Sequence, residues 1–280
     1  MKKSLISWVL PFFIATVIII VLRVYFIQIH LVKNNGLKNT LLKNDKVVCF
    51  NSKSLARNNI VLARWKENNE PAFKRIIALP MDTVLIKNSI VYVNRGRSED
   101  NSNITYTYSF STDSITYARK LLDNNNLVFD PKLATIGVFR FTANIDGLKK
   151  VKIDSMLYNV KRIIDNPSVS FTGNKAFSPV LYWNKDNMGP LFVPGKGSKL
   201  RITEKVYSIY KQIIEKESGK LLELINHKVY LSKTPLYLYT FKRNYYFLLN
   251  DNRQDINDSR TYGLIPEDQI INKVWFKLPW

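Results

Sequence analysis

The hydrophobic pattern begins with one long apolar run near the N-terminus. Seventeen uncharged residues run from Ile6 to Leu22, preceded by Lys2 and Lys3 and followed by Arg23. A helix needs about 20 residues to cross roughly 30 Å of hydrocarbon, and the Arg23 side chain can extend to the headgroup layer. The pattern predicts one transmembrane helix, with residues 1–30 as a membrane anchor and the lipid bilayer as a partner.

A cleavable signal peptide is the competing interpretation of this run. Its apolar core would exceed the usual 7–15 residues, and no small-x-small site follows. The flanking lysines do not decide the orientation, but a long following domain translocates largely regardless of its charge. We therefore expect a single-pass protein of the inner (cytoplasmic) membrane whose main domain lies on the periplasmic or extracellular side.

Beyond the anchor, short β-branched runs alternate with asparagine-rich turns. Such runs favour strands rather than helices. The segment Lys87-Asn88-Ser89 separates two of them and indicates a hairpin. The sequence therefore predicts a mainly β fold, with early strands over 46–50, 60–64, 75–79, 83–86 and 90–93.

The pattern changes between residues 98 and 175. Polar breaks surround helical stretches predicted near 113–122 and 154–165, which suggests an α/β insertion. Further on, Thr203 is a typical N-cap for a helix through Ser218, and Gly219 can end it. The predicted division is an anchor over 1–30, a β core over 31–97 and 176–280, and an inserted region over 98–175.

Composition limits the chemistry that the chain can support. One cysteine, Cys49, excludes an intramolecular disulfide, and two histidines leave little material for a metal site. We predict neither a metal nor a cofactor. The net charge of +20 could indicate nucleic acid or anionic lipid. However, the lysines are scattered without a long basic run, and Lys, Asn and Ile rise together in AT-rich genomes. We therefore expect no nucleic-acid partner.

Three segments carry the candidate chemistry. We call residues 32–45 the first segment, 74–84 the second and 250–260 the third. In order and spacing they resemble the conserved segments of bacterial type I signal peptidases, and the long insertion is typical of Bacteroidetes-like members. That resemblance implies a β-rich catalytic-domain fold and a serine endopeptidase that removes signal peptides, with a lysine as general base.

The resemblance also shows which catalytic positions are substituted here. Lys74 stands at the general-base position, whereas Gly36 stands where the family has its nucleophilic serine. Asn34 replaces the serine that donates to the oxyanion, and Ile256 replaces the serine that orients the lysine. Met81 replaces a glycine of the second segment. The remaining matched residues form a supporting set: Arg75, Asp82, Asp251, Asn252, Arg253, Asp258, Ser259 and Arg260.

Two hypotheses follow from these substitutions. The first is a catalytically impaired or inactive homologue that binds signal peptides or pre-proteins, or serves as a scaffold beside an active paralogue. The second is an active peptidase that uses another hydroxyl, with Thr40, Ser52 and Ser54 as the nearest candidates and Lys74 as base. We favour the first, because three catalytic positions change together.

Overall fold

The computed structural model describes residues 9–18, 27–52, 54–65, 70–98, 102–135, 138–169 and 176–279. It is rich in β-structure, as the sequence predicts. A helix over residues 9–18, α1, has exposed side chains throughout. No helix among the described residues is both long and apolar enough to cross a membrane. Helix α1 covers ten of the 17 residues of the predicted span Ile6–Leu22, and the other seven, 6–8 and 19–22, lie outside the described residues.

A seven-stranded antiparallel sheet joins distant parts of the chain. Its strand order is β1-β2-β20-β3-β4-β18-β19, so the C-terminal strand β20 lies between two strands from the first quarter of the chain. The bounds are Ile27–Leu31 for β1, Lys46–Phe50 for β2, Ile60–Ala63 for β3, Ala72–Ala78 for β4, Tyr245–Leu249 for β18, Ile265–Pro266 for β19 and Ile270–Lys277 for β20.

A second sheet packs beside the first in the order β12-β5-β6-β7. Its bounds are Thr83–Lys87 for β5, Ile90–Val93 for β6, Gly96–Arg97 for β7 and Met188–Phe192 for β12. The predicted hairpin is confirmed: β5 pairs with β6, and the turn residues Asn88 and Ser89 both have positive φ. Two successive residues of this kind match the twist of a two-residue hairpin turn.

The helix predicted after Thr203 is also confirmed, as α4 over Glu204–Ser218. Thr203 accepts a hydrogen bond from the Val206 amide, and Gly219 ends the helix with a φ of 67°. Ile209 and Ile214 of α4 are buried in the largest hydrophobic cluster of the described residues. Two small sheets also contribute to this cluster. One consists of β13 (Lys199–Arg201) and β17 (Leu238–Thr240), and the other of β14 (Leu222–Ile225), β15 (Lys228–Leu231) and β16 (Thr234–Pro235).

The inserted region contains a β-α-β-β-α-β unit with its own hydrophobic cluster. Its sheet order is β11-β8-β10-β9, the split βαβ arrangement of ferredoxin-like units. The bounds are Tyr106–Ser111 for β8, Ile115–Asn124 for α2, Val128–Thr135 for β9, Val138–Ala143 for β10, Ile145–Lys152 for α3 and Tyr158–Arg162 for β11. The buried cluster includes Phe110, Leu122, Phe141 and Val151, and it is separate from the clusters of the β core.

The prediction of a helix near 154–165 is wrong. Residues 158–162 form strand β11, and the preceding helix α3 ends at Lys152. β11 pairs with the free edge of β8. The hydrogen bonds and packing gained at this sheet edge therefore outweigh the helical hydrophobic pattern of the segment. The helix near 113–122 is confirmed as α2, which Ser114 caps by accepting from the Tyr117 amide.

Because the insertion has its own core, we expect a cavity there to weaken it locally. Phe141 is fully buried and its ring stacks on Tyr108, with 5.5 Å between centroids. Phe141→Ala should cost about 3–5 kcal/mol of local stability. In amide hydrogen exchange, β8 and β10 should lose protection while β4 and β18 keep theirs. Val138→Ala, at an exposed position, is the control. Equal loss of protection in both regions would show that they unfold as one unit.

Candidate active site

Adjacent strands bring the second and third segments together. β18 pairs with β4 so that Leu249 faces Arg75, and the next residue along each strand leads to Asn250 and Lys74. The Lys74 Nζ donates a hydrogen bond to Asn250 Oδ1 at 2.7 Å. Lys74 is 2% exposed and Asn250 is fully buried. The Lys74 amine is therefore buried, beside the side-chain carboxamide of a residue from the third segment.

Burial lowers the pKa of Lys74 below its ordinary value of 10.5. Desolvation is the largest cause, because a buried ammonium loses its hydration. The negative charges of Asp258 and Asp255 oppose this shift, and the positive charge of Arg260 adds to it. This is the direction of pKa shift that a lysine acting as a general base requires.

A buried ion pair joins all three segments beside Lys74. Arg75 donates from Nε and Nη2 to the two carboxylate oxygens of Asp251, at 2.7 and 2.6 Å. The Thr40 hydroxyl donates to the same carboxylate at 2.7 Å and accepts from Arg75 Nη2 at 3.2 Å. Bidentate pairs of this kind fix orientation as well as contributing energy. Thr40, from the first segment, is thus held in the scaffold.

A second buried ion pair closes the third segment on itself. Arg260 donates from Nε and Nη2 to Asp258, at 3.0 and 2.7 Å. Burial alone would raise the pKa of Asp258, but the Arg260 charge and hydrogen bonds hold that pKa below its ordinary value. Asp258 also accepts from the Asn250 amide at 3.0 Å. The short helix α5, Ser259–Tyr262, begins here, and the Ser259 hydroxyl accepts from the Leu248 amide.

The other supporting residues form hydrogen bonds that hold backbone segments around the site in place. Asn252 donates its amide to the Gly36 carbonyl at 3.0 Å, which holds the first segment against the third. Arg253 donates from Nη1 to the Asn250 carbonyl at 3.0 Å. Asp82 accepts from Arg57 and from the Leu79 amide.

Met81, where the resemblance implies a glycine, has the backbone conformation that glycine favours. Its φ is 76°, in the left-handed region that residues other than glycine rarely adopt. Because the side chain is exposed, the turn accommodates its bulk.

The positions at which the resemblance implies a nucleophile, an oxyanion donor and a lysine-orienting residue have different surroundings. Gly36 is buried beside Asn250, and its amide donates to Asn34 Oδ1 at 3.4 Å. Ile256 is half-buried and lines a small cavity with Trp183 and Met188. The hydrogen-bond acceptor of Lys74 thus comes from Asn250, the first residue of the third segment.

Two of the three alternative hydroxyls, those of Thr40 and Ser52, form hydrogen bonds away from Lys74. Thr40 is held between Asp251 and Arg75. Ser52 Oγ accepts from the Ser54 amide and donates to its carbonyl. In the part of the chain that the structure describes, no hydroxyl hydrogen-bonds to Lys74 Nζ. No group of three or more His, Cys, Asp or Glu residues among the described residues could hold a metal ion.

Comparison with known proteins agrees with this geometry. The sequence model of the family described as signal peptidase, peptidase S26, matches residues 5–141 and 192–280. The chain belongs to the signal peptidase family. The matched ranges contain the Lys74–Asn250 contact and both buried ion pairs, and they leave out 142–191, from the last two residues of β10 to all but the last residue of β12.

Individual relatives carry related names. The chain is 27% identical over 110 residues to signal peptidase IB of Staphylococcus aureus, covering 38% of this chain and 56% of that protein. It is 30% identical over 97 residues to signal peptidase I of Bacillus licheniformis, covering 33% and 52%. The chain thus spans about half the length of the curated relatives it matches.

Asn250 is the site residue that sequence reasoning missed. It belongs to the third segment, but the resemblance is carried by the acidic and basic residues that follow it. The available signal was its position: it directly precedes Asp251, whose pairing with Arg75 places residue 250 beside residue 74.

The Lys74 pKa predicts how the stability of this protein changes with pH. Between the lowered pKa and about 10.5, the folded state binds fewer protons than the unfolded state. Below this window, burial of the charged Lys74 amine lowers the free energy of unfolding. This destabilisation decreases as pH rises through the window. Relative to Lys74→Met, the unmodified protein should therefore gain stability toward pH 10.5 in urea unfolding. The comparison cancels the other titrating groups, and a pH-independent difference would contradict the lowered pKa.

Proposed function

We propose that this signal peptidase family member does not cleave pre-proteins and acts as a binding or scaffold protein of the secretion pathway. The observation that carries the proposal is the partner of Lys74: a carboxamide, Asn250, with glycine at position 36. A lysine base needs a hydroxyl whose proton it can take. Loss of the nucleophile costs on the order of 10⁶-fold in turnover in a serine protease.

The intact scaffold supports a retained binding role. The ion pairs Arg75–Asp251 and Arg260–Asp258 are buried and bidentate, and breaking such a pair from one side costs about 3–5 kcal/mol. Each pair is thus held in place, because loss of either partner would leave a buried charge uncompensated. The partners that we propose are signal peptides or pre-proteins, or an active paralogue in the same membrane.

We further propose that the N-terminal apolar segment anchors the protein in the inner membrane, with the β core on the periplasmic or extracellular side. The outer face of β1 and β20 supports a position near lipid. Ile29 and Leu31 on β1, with Trp275 and Phe276 on β20, are exposed. Aromatic side chains of this kind favour the headgroup layer.

The catalytic claim can be tested with the full chain purified in detergent. We expect no cleavage of a pre-protein under conditions in which a signal peptidase I with its serine cleaves fully, because Lys74 has no hydroxyl to activate. Cleavage by the unmodified chain that is lost in Lys74→Met would overturn the proposal. Thr40→Ala and Ser52→Ala would then identify the nucleophile.

The anchor can be tested by fractionation. The full chain should remain in the membrane fraction after an alkaline carbonate wash, and protease added to spheroplasts should digest the β core. A chain without residues 1–26 is the control for surface attachment through Ile29, Leu31, Trp275 and Phe276. Release of the full chain by the wash would refute the anchor, and protection of the β core would reverse the proposed orientation.

A further inference from the structure

The space beside Gly36 is filled by another side chain. A Cβ placed on Gly36 would lie 2.3 Å from Asn250 Oδ1 and 2.9 Å from Asn250 Cγ. Real Cβ atoms essentially never approach another heavy atom this closely, so with any residue larger than glycine at position 36 either the carboxamide or the backbone of the first segment must shift. The atom that it meets first, Oδ1, is the atom that Lys74 contacts.

Asn250 is poorly able to move aside. Its side-chain Nδ2 donates to the Asp255 carbonyl at 3.0 Å while its Oδ1 accepts from Lys74. Its backbone amide donates to Asp258, and its carbonyl accepts from Arg253. Displacing the carboxamide would leave polar groups unpaired in a buried site, which is costly.

The backbone of Gly36 is held as well. Its carbonyl accepts from the Asn252 amide at 3.0 Å, and Leu37, the next residue, is buried in a hydrophobic cluster. The first segment is therefore fixed on one side of the contact and the carboxamide on the other. The two positions fit only as a pair, with a small residue on one side and an amide on the other.

We infer that Asn250 is a built-in occupant of the former nucleophile position: its Oδ1 takes the place of a residue-36 side chain, positions Lys74 as a hydrogen-bond donor and makes glycine obligatory at position 36. This inference deepens the proposed function and rests on it for the identity of the site. It implies that two separate features prevent catalysis. The serine is missing, and its place is filled, so Gly36→Ser alone cannot rebuild a Ser–Lys pair.

A double-mutant cycle tests the pairing. Gly36→Ala should reduce the folding equilibrium constant roughly 10- to 100-fold through overpacking. In a protein that also carries Asn250→Ala, the obstructing side-chain atoms are gone. There the fold-reduction of the folding equilibrium constant caused by Gly36→Ala should be at least about fivefold smaller. The control is Gly96→Ala, because a Cβ there would meet only the Val93 carbonyl oxygen, at 3.5 Å. Additive effects, or a Gly36→Ala cost no larger than that of Gly96→Ala, would overturn the inference.

A second measurement tests the positioning of Lys74 independently of stability. Asn250→Asp places a carboxylate of nearly the same shape against the amine, so the pKa of Lys74 should rise, as followed by the NMR shift of its Nζ or Cε nucleus. An unchanged pKa would show that residue 250 does not contact the amine. Neither experiment depends on cleavage: Lys74-dependent peptidase activity would defeat the proposed function while leaving the coupling measurable, and additivity would defeat the inference in an inactive protein.

Discussion

The structure around this site depends on the burial of one amine. Lys74 is inside the sheet, where an ammonium is costly unless it finds an acceptor and compensating charge. The acceptor is Asn250, and Asp258 and Asp255 supply favourable charge from nearby. The neighbouring pairs, Arg75 with Asp251 and Arg260 with Asp258, hold the third segment in the position that this contact requires. The fold thus buries a lysine amine against a carboxamide, and within the described residues no hydroxyl hydrogen-bonds to that amine.

The fit of Gly36 against Asn250 explains how the buried Lys74 amine is accommodated. A buried lysine facing an empty space would lack a hydrogen-bond partner. Here the carboxamide supplies an oxygen from the opposite segment, and glycine leaves room for it. Gly36 and Asn250 are therefore understood better as one physical arrangement than as two independent features.

Much of this arrangement could be predicted from the sequence. β-branched runs gave the strands of the core, and Thr203 and Gly219 gave the limits of α4, because these signals are local. Strand β11 could not be predicted from its own residues, because it forms by pairing with β8, which lies far from it in the sequence. The role of Asn250 was missed for a related reason: an asparagine beside an acidic residue suggests a polar loop until strand pairing places it against Lys74 and Gly36.

The Asn250 carboxamide is the buried partner of the Lys74 amine, and in the part of the chain that the structure describes no hydroxyl takes that place. NMR of the Asn250 side-chain amide in the full chain tests this contact, with Asn126, an exposed asparagine, as internal reference. We expect slow solvent exchange of the Asn250 Nδ2 protons, since they are buried and bonded to the Asp255 carbonyl, and nuclear Overhauser contacts with the Lys74 side chain. Exchange as fast as that of Asn126, without contacts to Lys74, would contradict it.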